Sequence, residues 1–94
     1  MIYNSYIYYM EDLATHKLVL HNDDKNSFLY VIACLIRFCE HQPVQAEQCA
    51  LIVHRNGNCT VKSGSYIDML EISESLSKLD LKVSIKEYES NMRG

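Results

Sequence analysis

Apolar and polar positions change their period several times along the chain, and each change marks an element. Residues 16–21, HKLVLH, form a run rich in Leu and Val that is too short for a helix, and predict a strand. Residues 22–26, NDDKN, break the run. Asn and Asp side chains bond their own backbone and tolerate left-handed dihedrals, so this segment reads as a turn. Asn26 or Ser27 then caps a helix. Phe28, Val31, Ile32, Leu35, Ile36 and Cys39 recur at helical spacing, which predicts an amphipathic helix over 28–40. Pro43 suits the first turn of a second helix, running to about Asn56 with Ala46, Cys49, Ala50 and Val53 on one stripe. Gly57 stands where a C-cap glycine belongs. Residues 58–64 predict a strand and turn. Ser65 and Asp68 have the spacing of a capping box, which opens a third helix to about Leu79 with Ile67, Leu70 and Leu76 on its apolar side. Over 81–87, Leu81, Val83 and Ile85 alternate with Lys82, Ser84 and Lys86, the pattern of a half-exposed strand.

The element order is therefore β-α-α-β-α-β. The fold class this implies is α+β: one domain with a three-stranded antiparallel or mixed sheet and helices on one face. The core domain is expected over 15–88. Residues 1–14 carry four of the seven tyrosines with no clean period, and read as a flexible extension. Residues 89–94 are polar and read as a frayed tail.

Composition narrows the function classes. A chain of 94 residues has room for one core, and its 48% apolar and 22% charged residues are enough to build it. The formal charge of −3 disfavours a general nucleic-acid binder, which carries a basic face. No apolar run approaches the roughly 18 residues of a membrane helix, and the first residues lack the basic and apolar regions of a secretory signal. A cytoplasmic monomer is expected. Cys34, Cys39, Cys49 and Cys59 include no Cys-x2-Cys pair, so they read as reduced, structural thiols rather than a zinc site. No motif calls for a metal or other cofactor.

The chemistry-bearing residues are the polar cluster His21, Asn22, Asp23 and Asp24 at the end of the first strand, with Asn22, Asp23 and Asp24 as the candidates for the site, and His54 late in the second helix. An Asn carbonyl, carboxylates and a neutral imidazole nitrogen are all acceptors, which suits a protonated amine with its three donors. Apolar helix faces beside them would make a site for an N-terminal residue with a large apolar side chain. The plainer alternative is that NDD is only a turn, with His54 favouring a helix C-terminus, in a structural or ribosome-type interaction domain of the same topology. A hydrolase using His54 and Asp23 lacks a nucleophile motif, so no catalytic residue is assigned and the protein is not read as an enzyme.

LVLHNDDKNSFLYVIACLI followed by QAEQCALIVHRNGNC resembles the ClpS family of Clp protease adaptors. In that family an NDD turn precedes a helix, and an Ala-Glu run with a later His and Gly lies on the next helix. Here that run is Ala46-Glu47, His54 and Gly57, and the spacing from Asn22 to His54 agrees without a gap. The resemblance is strong over 16–57 and weaker but collinear over 58–87. It implies an adaptor that delivers proteins with N-terminal Leu, Phe, Tyr or Trp to a ClpA-type unfoldase, whose ClpP partner degrades them. It further implies that Asn22 and His54 bond the substrate's α-amino group, assisted by Asp23 and Asp24. By the same carry-over Asn26 and Phe28 fall on the pocket rim, Val31, Ala50 and Val53 on its wall, and Leu81 on the far wall. Phe28 and Ala50 stand where the family often has methionine. Glu71 or Ile72 replaces a lysine of a protease-facing patch on the third helix.

Overall fold

Three antiparallel strands and three helices account for residues 14–88, the part of the chain that this computed structural model describes. The expected extension over 1–14, Ala14 excepted, and the expected tail over 89–94 lie outside the described residues. The strands are β1 (His16–His21), β2 (Asn58–Gly64) and β3 (Lys82–Glu87), and the helices are α1 (Phe28–Cys39), α2 (Pro43–Asn56) and α3 (Tyr66–Lys78). The sheet order is β2-β1-β3. β1 therefore lies in the centre, pairing His16 with both Gly64 and Glu87, and His21 with both Asn58 and Lys82. The register with β2 shifts between Leu18 and Val19, a bulge that leaves Val61 without a partner and turned into the core.

The helix ends follow local chemistry. The Ser27 hydroxyl accepts from the Tyr30 amide at 3.1 Å, and that of Ser65 from the Asp68 amide at 3.2 Å, each satisfying a donor that the helix leaves unpaired. Pro43 occupies the first turn of α2, where its missing N–H is no loss. Gly57 ends α2 with φ 97°, and its amide donates to Val53 O at 2.9 Å. α1 ends one residue earlier than the periodicity predicts. Glu40 takes a left-handed cap with φ 60°, which a non-glycine residue adopts only when the surrounding structure holds it there.

The core lies between the sheet and the helices. Leu18 and Leu20 of β1, Leu35 and Cys39 of α1, Ala46 and Val53 of α2, and Met69 and Leu76 of α3 meet there. Two sequence expectations change. Ile67 is 60% exposed while Met69 is buried, because the inner stripe of α3 runs Met69, Ile72 and Leu76 and Ile67 lies across the helix from it. Leu81, expected in the last strand, lies one residue before β3 and is buried in the core. Among the described residues one polar side chain is also buried. The His41 ring at the α1–α2 corner bonds Val61 O through Nε2 at 2.7 Å, and its Nδ1 has no partner.

Candidate functional site

β1 leaves the sheet through the turn Asn22–Asn26, and Asp23 organises that turn. Its Oδ1 accepts from the amides of Lys25 at 2.8 Å and Asn26 at 2.9 Å, and its Oδ2 from Asn26 Nδ2 at 3.1 Å. Burial pushes the Asp23 carboxyl up, but these donors and the charge of Lys25 outweigh it and hold the group below the usual carboxylate range. Asn26 Nδ2 also donates to Asp80 O at 2.8 Å, clamping the turn to the corner between α3 and β3. Asp80 itself takes a left-handed conformation with φ 69°.

A second anchor joins the turn to α2. The Asn22 amide donates to Gly57 O at 2.9 Å. Gly57 is the cap of α2 and His54 lies in that helix's last turn, so this bond sets the height of the imidazole against the turn. Asn22, Asp24 and His54 are all solvent-exposed, and the one salt bridge among the described residues, Lys62 to Glu40, lies elsewhere.

Between these parts opens a cleft of about 370 Å³. Asn22, Asp23, Asp24 and His54 are among its polar lining residues. Val31, Ala50 and Val53 line its apolar side, with Ala50 4% and Val53 6% exposed. Asn26 and Phe28 complete the lining, Phe28 being 38% exposed. Leu81 is not on the lining and packs into the core. Two further residues line it: His21, which belongs to the polar cluster read from the sequence but carries no assigned role there, and Leu20, which escapes the sequence reading. The nearness of Leu20 to Asn22 was the available signal, but the alternation of a strand assigns Leu20 to the core and says nothing of a floor shared with a cleft. The His21 ring shares a hydrogen bond with Ser84 Oγ at 2.7 Å.

The lining brings hydrogen-bond acceptors and hydrocarbon into one cleft. It can hold a cationic donor group and an attached apolar side chain at once. Among the described residues no group of three or more His, Cys, Asp or Glu side chains is placed to hold a metal, and no helix is long and apolar enough to cross a membrane.

A family model described as ATP-dependent Clp protease adaptor protein ClpS matches residues 11–84. Among solved structures, the fold is similar to that of Agrobacterium tumefaciens ClpS2 bound to L-phenylalaninamide, with a TM-score of 0.76 at 16% sequence identity. That likeness covers 81% of this chain and 99% of the other. No curated protein matches.

Proposed function

The chain belongs to the ClpS family of Clp protease adaptors, and on that premise we propose that it binds proteins bearing N-terminal Phe, Tyr, Leu or Trp and delivers them to a ClpA-type unfoldase. The observation that carries this reading is the tie between Asn22 and Gly57, which sets the NDD turn and His54 around one cleft with an apolar side. The substrate's α-ammonium donates to Asn22 Oδ1 and to a neutral ring nitrogen of His54, and its third proton faces Asp24 directly or through water. Asp23 already accepts three hydrogen bonds. It acts by holding the turn and by its negative field. The first side chain of the substrate lies against Val31, Ala50 and Val53, with Asn26 and Phe28 at the rim.

The Agrobacterium protein's ligand, L-phenylalaninamide, pairs a free α-amine with an aromatic ring. That is the chemistry this cleft is suited to, and it supports the reading. Adaptor action needs no catalytic residue and no cofactor. The unfoldase would meet the face of α3 where Glu71 and Ile72 border a hollow with Phe38, Lys62 and Asp68. We assign the protein to the cytoplasm as a monomer, with residues 15–88 as the folded adaptor and 1–14 as the segment used in handing over substrate.

Titration with a peptide that begins with free Phe tests the site. Binding of that peptide, with loss of binding on acetylation of its N-terminus, is the expected outcome. Equal affinity for the two peptides, or none for either, overturns the assignment and favours a structural interaction domain.

A further inference from the structure

The sheet has a second face, turned away from the core. Leu18 and Leu20 of β1 and Val83 and Ile85 of β3 pack inward. Alternation therefore turns Lys17, Val19 and His21 of β1, and Lys82, Ser84 and Lys86 of β3, to the other side. The pairing sets them in rows, with Lys17 beside Lys86, Val19 beside Ser84 and His21 beside Lys82. The hydrogen bond of His21 Nε2 with Ser84 Oγ at 2.7 Å holds the imidazole on this face. Asn58, Thr60 and Ser63 of β2 complete the rows and are uncharged. Three lysines thus share a surface whose rows hold no Asp or Glu, on a chain with a formal charge of −3. Lys82 and Lys86 are exposed, and Lys17 is half-buried with its ammonium 5.3 Å from the centre of the Tyr88 ring. The carboxylate partner of the fourth sheet lysine, Lys62, is Glu40 at the end of α1, on the helix side. His21 also lines the cleft, so the basic face and the cleft meet at that residue.

We propose that this face extends the cleft and takes acidic side chains of the substrate, so that the preferred ligand carries Asp or Glu a few residues after its bulky first residue. This inference rests on the adaptor reading and deepens it. Charge complementarity selects the occupant. A polypeptide already enters the cleft in that reading, and a chain leaving it past His21 meets only cations and uncharged polar groups over the sheet. A nucleic acid fits less well, because its phosphates need a broad positive field and this protein is acidic as a whole.

The layout also sets where the acidic residues must stand. Asp23 and Asp24 line the cleft and repel a carboxylate at the second position of the substrate. Lys82 lies one strand spacing from His21, about 5 Å away, and Lys17 and Lys86 lie about 13 Å further along the sheet. An extended chain advances about 3.3 Å per residue. Acidic residues from roughly the third to the eighth position therefore come within reach of the lysines.

The test uses the full chain and three peptides that begin with free Phe. One has a neutral tail, one has Glu at its fourth and sixth positions, and one has Glu at its second position alone. The second peptide should bind roughly five- to tenfold tighter than the first at low salt, an advantage that fades in about 0.5 M salt. The third should bind no tighter than the first. Lys82→Gln combined with Lys86→Gln should keep the affinity for the neutral tail and lose the advantage of the acidic one. Lys82→Glu combined with Lys86→Glu should favour Lys at the same two positions instead. Equal affinities for the neutral and acidic tails overturn this inference and leave the adaptor reading standing, as does an advantage that survives in the Gln variant. Equal tails together with binding of a single-stranded DNA that the Gln variant loses would mark a phosphate surface and also overturn it. Failure of every free-Phe peptide to bind overturns the adaptor reading, and this inference with it.

Discussion

Asp23 shows how a single residue can serve the site without touching a ligand. Both its oxygens are engaged inside the turn, so its contribution is geometric. Asp23→Asn would set its own amide group against that of Asn26, and should destabilise the fold by about 1 kcal/mol, read from urea denaturation. The carboxyl is lowered in the folded protein. Its contribution is therefore complete above the unfolded value near 4 and is lost as pH falls through the lower, folded value. The wild type should weaken below about pH 4 more steeply than Asp23→Asn does. In the proposed site Asn22 and His54 act on the ligand instead. Asn22→Ala or His54→Ala should leave the melting temperature unchanged, since both residues are exposed, and weaken binding of an N-terminal Phe peptide by roughly 1–3 kcal/mol. The double variant should fall short of the sum, because both side chains serve one amine. Wild-type affinity in both single variants would remove them from the site.

Elements meet at the site through their ends, and Gly57 is the end on which most depends. With φ 97° and nothing within 4 Å of an added Cβ, Gly57→Ala meets strain alone and no clash. The left-handed penalty of roughly 1–2 kcal/mol should appear as a lower urea midpoint with an unchanged slope. Because Gly57 O holds the Asn22 amide, peptide affinity should fall with it; unchanged affinity would separate the helix cap from the site. This glycine, Pro43 and the capping serines were legible in the sequence, since each acts within a few residues of itself. Contacts between distant segments were not. The Asn26 clamp on Asp80 spans 54 positions and leaves no local trace. Glu40 in a left-handed cap has the wrong residue type to announce it. The burial of Met69 in place of Ile67 depends on which side of α3 meets the sheet, and both residues are apolar enough for either role. In the cleft, the positions taken from the NDD turn and α2 adjoin it because motif spacing fixes them. Leu81 lies beyond the motifs and packs elsewhere.

For the molecule as a whole, the segment before residue 14 is the part to separate by experiment. Thr15 must stay, because its amide donates to Gly64 O at 3.1 Å and its carbonyl accepts from the Tyr88 amide at 3.0 Å. Removal of residues 1–13 should leave the melting temperature and peptide affinity unchanged while slowing degradation by an unfoldase–protease pair. A melting temperature lowered by 5 °C or more, the scale of about 1 kcal/mol in a domain this small, would place the tyrosines on the folded domain. The placing of β1 at the centre of the sheet has a consequence for how the protein is made. Of the described strands β1 is made first, and it has one partner in β2 and the other in β3, which follows all three helices in the chain. Leu18 and Leu20 must wait for the three helices and β3 to be made before both their neighbours exist, and such distant pairing is slow to nucleate. During that wait the nascent chain offers an apolar strand with two open edges to anything that can bind one. A protein proposed to carry degradation substrates thus begins its own life displaying the kind of surface that quality-control machinery is built to find.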